Sequence, residues 1–181
     1  MALKATINKA NLEVSDLRRH HYHSYPLTVA QHPSENARRT MLRLLAFALH
    51  ADEQLQFTRG LCVDEEPELW LKTLSDEITL WIELGLPDFK RLKKACRKAE
   101  QVVLYAYGSA FSVWWPENQS QLASLNNLEV IYIPEQASEE LAALLDKNMQ
   151  LQCTIDEEQV WFSTPEQSLS ITPETYQTAN D

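Results

Sequence analysis

Glu68 and Glu83 are the residues whose types and spacing point most directly to chemistry. They lie 15 residues apart on two apolar stretches, Glu68-Leu69-Trp70-Leu71-Lys72 and Ile78-Thr79-Leu80-Trp81-Ile82-Glu83-Leu84, with the turn signal Ser75-Asp76-Glu77 between them. That spacing suits a hairpin in which two carboxylates approach each other across the pair. Glu66 and Asp64 are alternatives to Glu68. Paired carboxylates supply the hard oxygen ligands that Mg²⁺ or Mn²⁺ takes. Such an ion would acidify an attacking water and stabilise charge on a scissile phosphate. Lys90 and Lys94, on the segment that follows, are placed to orient that water or neutralise the phosphate. The plainer reading of Glu83 is a strand-end acid paired with a nearby lysine.

Other constellations are weaker. His20-His21-Tyr22-His23 puts His21 and His23 on one face of a strand, which could serve a zinc ion, but no Cys or carboxylate close in sequence completes a tetrahedron. Solvated or stacking histidines are the simpler account. Trp114-Trp115 could stack nucleic-acid bases, although buried aromatics at a strand end are commoner. No GxSxG elbow accompanies the Ser, His and Asp residues.

The elements that must position these residues follow from periodicity. Residues 3–14 and 19–31 read as an N-terminal β-hairpin. Ser34 reads as a helix cap and Glu35 as a first-turn acid, with Ala37, Met41, Leu44, Leu45 and Ala48 forming an apolar stripe to about Ala51. Arg39 and Arg43 fall on a different face of that helix. A short strand at 55–58 precedes Gly60. In 78–84, Ile78, Leu80, Ile82 and Leu84 share one face, leaving Thr79, Trp81 and Glu83 on the other. Asp88 caps a helix over 89–100 whose buried stripe is Phe89, Leu92, Ala95, Cys96 and Ala99. Gln101–Tyr107 is apolar enough for a central parallel strand, so 78–107 reads as a βαβ unit. The remainder predicts a strand at 110–115, a short helix from Pro116, a strand at 127–133, a helix at 138–147 and a hairpin at 149–155/159–163.

Bulk properties set the frame. The 181 residues suit one domain, with 173–181 as a frayed tail. No apolar run approaches a membrane span. Three isolated cysteines point to a reducing cytosol. With three glycines and neither GxGxxG nor GxxxxGK[ST], no nucleotide cofactor is expected. The net charge of −10 is unevenly spread. Residues 1–98 carry 15 of the 16 Lys and Arg against 13 acids, a net of +2, whereas 99–181 carry Lys147 against 13 acids, a net of −12. Nine of those 15 cations fall in the two expected helices: Arg38, Arg39 and Arg43, then Lys90, Arg91, Lys93, Lys94, Arg97 and Lys98. Such segregation can give an acidic protein a positive face. Solvated helix faces are the plainer alternative.

The chain also resembles the YaeQ family of bacterial proteins. The likeness rests on His32-Pro33-Ser34-Glu35, Leu55-Gln56-Phe57-Thr58-Arg59-Gly60-Leu61, Asp64-Glu65-Glu66-Pro67-Glu68-Leu69-Trp70, Leu80-Trp81-Ile82-Glu83-Leu84-Gly85-Leu86-Pro87-Asp88 and Met149-Gln150-Leu151-Gln152-Cys153-Thr154-Ile155. Further blocks are Met1-Ala2-Leu3-Lys4-Ala5-Thr6-Ile7 and Leu42-Arg43-Leu44-Leu45-Ala46, so the blocks run from residue 1 to about 155. The resemblance implies a mixed α+β protein with the PD-(D/E)xK, restriction-endonuclease-like fold, a central mixed sheet flanked by helices. Pro67-Glu68 is similar to the "PD" half of that signature, with Glu for Asp. Glu83-Leu84-Gly85 keeps the acid of "(D/E)xK" but puts glycine where lysine belongs; Lys90 or Lys94 would restore the charge. Glu35 matches a position where related nucleases often hold an extra acid.

The expectation is a cytoplasmic, Mg²⁺- or Mn²⁺-dependent phosphodiesterase. Glu68, Glu66 and Glu83 would hold the metal, Lys90, Lys94 and Glu35 would assist, and Arg38, Arg39, Arg43 and Arg91 would contact nucleic acid. The rival is a non-catalytic protein that docks a basic protein partner through its acidic C-terminal half.

Overall fold

Strand pairing in the computed structural model, which describes residues 4–59 and 65–180, builds two mixed sheets and four helices. Leu3, Gly60, Cys62 and Asp64 lie outside the described residues. The fold is mixed α+β, as expected, but with two sheets rather than one. Contacts group the chain into two compact units that interleave in sequence: residues 1–51 with 136–173, and residues 52–135 with 174–181.

The first unit holds a five-stranded sheet in the order β10-β9-β8-β1-β2. The expected hairpin is present as β1 (Thr6–Asp16) and β2 (His21–Gln31). It turns at His20, which adopts φ +52°. β8 (Asn148–Ile155) runs parallel to β1, followed antiparallel by β9 (Val160–Ser163) and β10 (Ser168–Ile171). Alternate residues of β1 (Asn8, Ala10, Leu12, Val14 and Asp16) point inward with Met149, Leu151, Cys153 and Ile155 of β8. This is the period-2 signature of a half-buried strand.

Helix α1 spans Ala37–Leu49 and is buried throughout Thr40–Leu49. Its cap is Asn36, whose side chain accepts from the Arg39 amide at 2.9 Å, and not Ser34 as expected. Residues 32–35 instead form a turn, with the Glu35 amide donating to the His32 carbonyl. Helix α4 (Glu135–Ala142) is shorter and earlier than the expected 138–147.

The second unit holds a six-stranded sheet ordered β11-β7-β6-β5-β4-β3. β3 (Gln56–Phe57), β4 (Leu69–Lys72) and β5 (Ile78–Leu84) form an antiparallel run. β5, helix α2 (Phe89–Lys98) and β6 (Ala99–Ala106) make the expected βαβ unit, and β7 (Leu128–Tyr132) extends the parallel set. Two expectations give way here. Residues 110–115 are not a strand: they open helix α3 (Phe111–Leu122), because Phe111, Trp114 and Trp115 fall at i, i+3 and i+4 and pack on one another. Residues 174–177, expected to fray, form β11 (Glu174–Gln177) against β7. The Gln177 amide nitrogen anchors this strand by donating to the carbonyls of Leu122, Leu125 and Leu128.

The end of β1 is fixed by charge. The Asp16 carboxylate is fully enclosed and accepts from the Arg18 guanidinium at 2.9–3.0 Å and from Arg19 Nε at 2.8 Å. Burial pushes its pKa up, but hydrogen bonds from Arg18 and Arg19 outweigh that and hold it at about 2. A depressed carboxyl contributes stability above its unfolded value of 3.8 and loses it as pH falls toward 2. We therefore expect Asp16→Asn to cost about 2 kcal/mol at neutral pH, with the deficit shrinking below the unfolded value of 3.8 and vanishing only as the pH reaches about 2, in urea unfolding curves. An Asn variant as stable as the parent at pH 7 would refute this account.

Candidate functional site

Residue 83 sits at the C-terminal end of β5, directly opposite residue 68. The register pairs Leu69 with Ile82 and Trp70 with Trp81, and the Glu68 amide donates to the Ile82 carbonyl at 2.9 Å. Continuing it by one step sets Glu68 across from Glu83, as the 15-residue spacing predicts. Both are buried, at 4% and 2% exposure. Glu83 shares its strand face with Trp81, and that face packs beneath α2, where Trp81 meets Leu92 and Ala95. The strand end is therefore covered rather than solvent-facing.

The cation at Glu83 is Arg91. Asp88 caps α2 by accepting from the Arg91 amide at 2.8 Å, which fixes the first turn of the helix and aims residue 91 back at the sheet. The guanidinium lies 3.0 Å from Glu83 Oε1 and donates from Nε to Oε2 at 3.1 Å; it also donates to the Glu66 carbonyl at 2.9 Å. Trp81 Nε1 donates to Glu83 Oε1 at 2.8 Å. Burial raises the Glu83 pKa; Arg91 and Trp81 oppose that rise, and the charge of Glu68 adds to it. Lys90 and Lys94, expected to reach back to the acids, instead line the outer wall of a cavity of about 330 Å³ with Arg91, Lys98, Glu65 and Trp81. There the exposed Glu65 carboxylate bridges Lys98 at 2.8 Å and Lys94 at 3.9 Å, and these lysines lower its pKa.

The remaining site residues are dispersed. Glu66 receives the Arg59 guanidinium at 2.9 Å. In the first unit, Glu35 and Arg43 form a buried pair at 2.7–2.9 Å, and Arg43 also donates to the Ala30 carbonyl. Arg43 therefore does not present its charge to solvent as the helical periodicity suggested, and Glu35 is committed to it. Arg38 pairs with Glu139 at 3.4 Å, and the Arg39 amide donates to the Asn36 cap. His21 and His23 pack around Tyr25, with His21 Nε2 2.6 Å from the Tyr25 hydroxyl. Cys96 and Cys153 are free thiols that burial pushes to about 11 and about 12, which disfavours the thiolate form.

A divalent ion needs oxygen lone pairs turned toward one point. Both Glu83 oxygens already accept from Arg91 or Trp81, and among the described residues no three His, Cys, Asp or Glu side chains gather as ligands. The arrangement as it stands does not fit Mg²⁺ or Mn²⁺. Gly85, two residues after Glu83, adopts φ +97°, a conformation that lysine rarely takes. The sequence offers Arg91 as a nucleic-acid contact; the structure makes it the partner of Glu83.

A family model described as "YaeQ protein" matches residues 1–173. The chain belongs to the YaeQ family. It is 49% identical over 172 residues to "Uncharacterized protein YaeQ" of Escherichia coli K12, covering 94% of this chain and 95% of that protein, and the same values hold for the Salmonella typhi protein. The crystal structure of a YaeQ protein from Xanthomonas axonopodis pv. citri superposes with a TM-score of 0.93 at 40% identity, covering 96% of this chain and 99% of the other. A YaeQ structure from Pseudomonas syringae also gives 0.93, at 34% identity and coverages of 96% and 97%.

In this YaeQ-family chain the raised Glu83 pKa means that the folded state binds the proton more tightly, so its contribution to stability is present at low pH and is lost as pH rises through the folded value. Removing Arg91 strands the buried charge beside Glu68. We expect Arg91→Ala to destabilise by about 3 kcal/mol near pH 8, and by clearly less at acid pH, because the raised pKa of Glu83 favours its neutral form as the pH falls. A deficit equal at both pH values would count against a charged Glu83–Arg91 pair.

Proposed function

We propose that the cavity beside α2 binds the phosphate groups of a nucleic acid, on a nuclease-like frame in which Arg91 neutralises Glu83. The observation that carries this reading is the convergence of Lys90, Arg91, Lys94 and Lys98 on one cavity. Lys90, Lys94 and Lys98 recur every fourth residue, so they rise along one face of the helix in steps of about 6 Å. A row of cations suits a chain of phosphates better than a single compact anion. Glu65 acts as the resident counter-ion, and a phosphate would displace it from Lys94 and Lys98.

A second reading keeps catalysis. Glu68 facing Glu83 across the hairpin supports a Mg²⁺- or Mn²⁺-dependent phosphodiesterase, provided Arg91 leaves the carboxylate. Both readings are tested with labelled single- and double-stranded DNA and RNA, followed by fluorescence anisotropy across a salt series. Binding should weaken with salt, and Lys94→Gln and Lys98→Gln should each lower the slope by about one. Glu65→Gln should tighten binding. Absence of binding to every oligonucleotide, or slopes unchanged in both lysine variants, would overturn the phosphate reading. Cleavage in Mg²⁺ or Mn²⁺ that disappears in Glu83→Ala would replace it with the catalytic one.

A further inference from the structure

A second surface of the same unit has the opposite character. Phe111 of α3 is buried and stacks on Tyr132 of β7, with centroids 4.4 Å apart and planes 12° from parallel. Trp115 lies one helical turn on, 6.0 Å from Phe111. β11 then delivers Tyr176 to this group. Its pairing with β7 shifts between Thr175 and Gln177, so Tyr176 is the extra residue of a bulge and is turned onto the cluster. It meets Phe111 edge-on at 4.8 Å and Trp115 at 5.4 Å, yet keeps 42% of its surface in solvent.

The rim is acidic. Glu174 stands directly across from Tyr132 in the β11–β7 register, and Glu135 opens α4 three residues after that ring; burial raises the pKa of the Tyr132 hydroxyl, and both carboxylates raise it further. The sequence supplies no Lys or Arg between 99 and 135 or between 174 and 181. Tyr and Trp rings attract cations through their quadrupole, and carboxylates beside them add direct charge. A guanidinium exploits both, because it can stack flat on a ring while its N–H fork meets a carboxylate; an ammonium cannot stack.

We infer that Trp115, Tyr132 and Tyr176, rimmed by Glu135 and Glu174, form a binding site for an arginine side chain on a basic segment of a partner protein. The inference is independent of the phosphate-binding reading, since it uses none of the α2 cations. It commits the acidic C-terminal half to a particular chemistry, guanidinium over ammonium.

The test titrates the full chain with a blocked tetra-arginine peptide and with its tetra-lysine and tetra-citrulline analogues, by calorimetry and tryptophan fluorescence. The arginine peptide should bind at least about fivefold more tightly than the lysine peptide, and the citrulline peptide should not bind measurably. Tyr176→Ala should weaken arginine binding about five- to tenfold, Tyr176→Phe should keep it, and the remote Glu166→Gln should leave it unchanged. Where Tyr176→Ala loosens β11, as judged by its urea midpoint, Glu174→Gln decides: a loss of about two- to threefold is expected. Equal affinity for arginine and lysine peptides, no effect at Tyr176 or Glu174, or an oligonucleotide whose binding depends on Tyr176 would each overturn the assignment.

Discussion

A carboxylate shut beneath a helix stays ionised only if a cation reaches it there, and much of the second unit is arranged around that requirement at Glu83. The strand register holds the acid opposite Glu68, so the local field is already negative. Arg91 answers from α2, and it can do so because Asp88 fixes where the helix begins. The same guanidinium ties down the Glu66 carbonyl ahead of β4. One ion pair thus joins the hairpin, the helix and the chain entering β4. With α2 in this orientation its lysines form the wall of a cavity.

Much of this was legible in the sequence, and the limits have physical causes. The alternation of 78–84 set Glu83 and Trp81 on one face, and the apolar run after 99 specified a parallel strand, so the βαβ unit followed. Which of six cations on α2 would meet Glu83 was not legible. Periodicity ranks positions around a helix, but a guanidinium that donates from two nitrogens can capture a buried carboxylate from a flank position. Arg43 misled for a related reason. Arginine is almost never buried without a partner, and its partner Glu35 lies ahead of the helix, outside the periodic window. Phe111-Ser112-Val113-Trp114-Trp115 carries strong β-propensity, which the helical packing of three rings overrides. β11 offered no hydrophobic alternation; its signal was one glutamine that satisfies three carbonyls and one tyrosine at a bulge.

The uneven charge of the sequence acquires a spatial meaning within this unit. The cations of α2 line a cavity beside β5, while Glu135 and Glu174 stand near the aromatic rings of α3, β7 and β11. An overall charge of −10 therefore describes neither surface. On the proposed readings each would attract ligands that the other repels, so electrostatics would sort two classes of partner.

The interleaving of the two units governs how the chain can be made. β1 and β2 leave the ribosome early, but the parallel neighbour of β1 is β8, and the hydrogen bond from Gln152 to Glu13 spans 139 residues. β7 likewise waits for β11, and the carbonyls of Leu122, Leu125 and Leu128 wait for Gln177. Neither sheet can close before its late strands are made. Native pairing must wait for them, with long loops closed against their entropy and strand edges bare in the meantime.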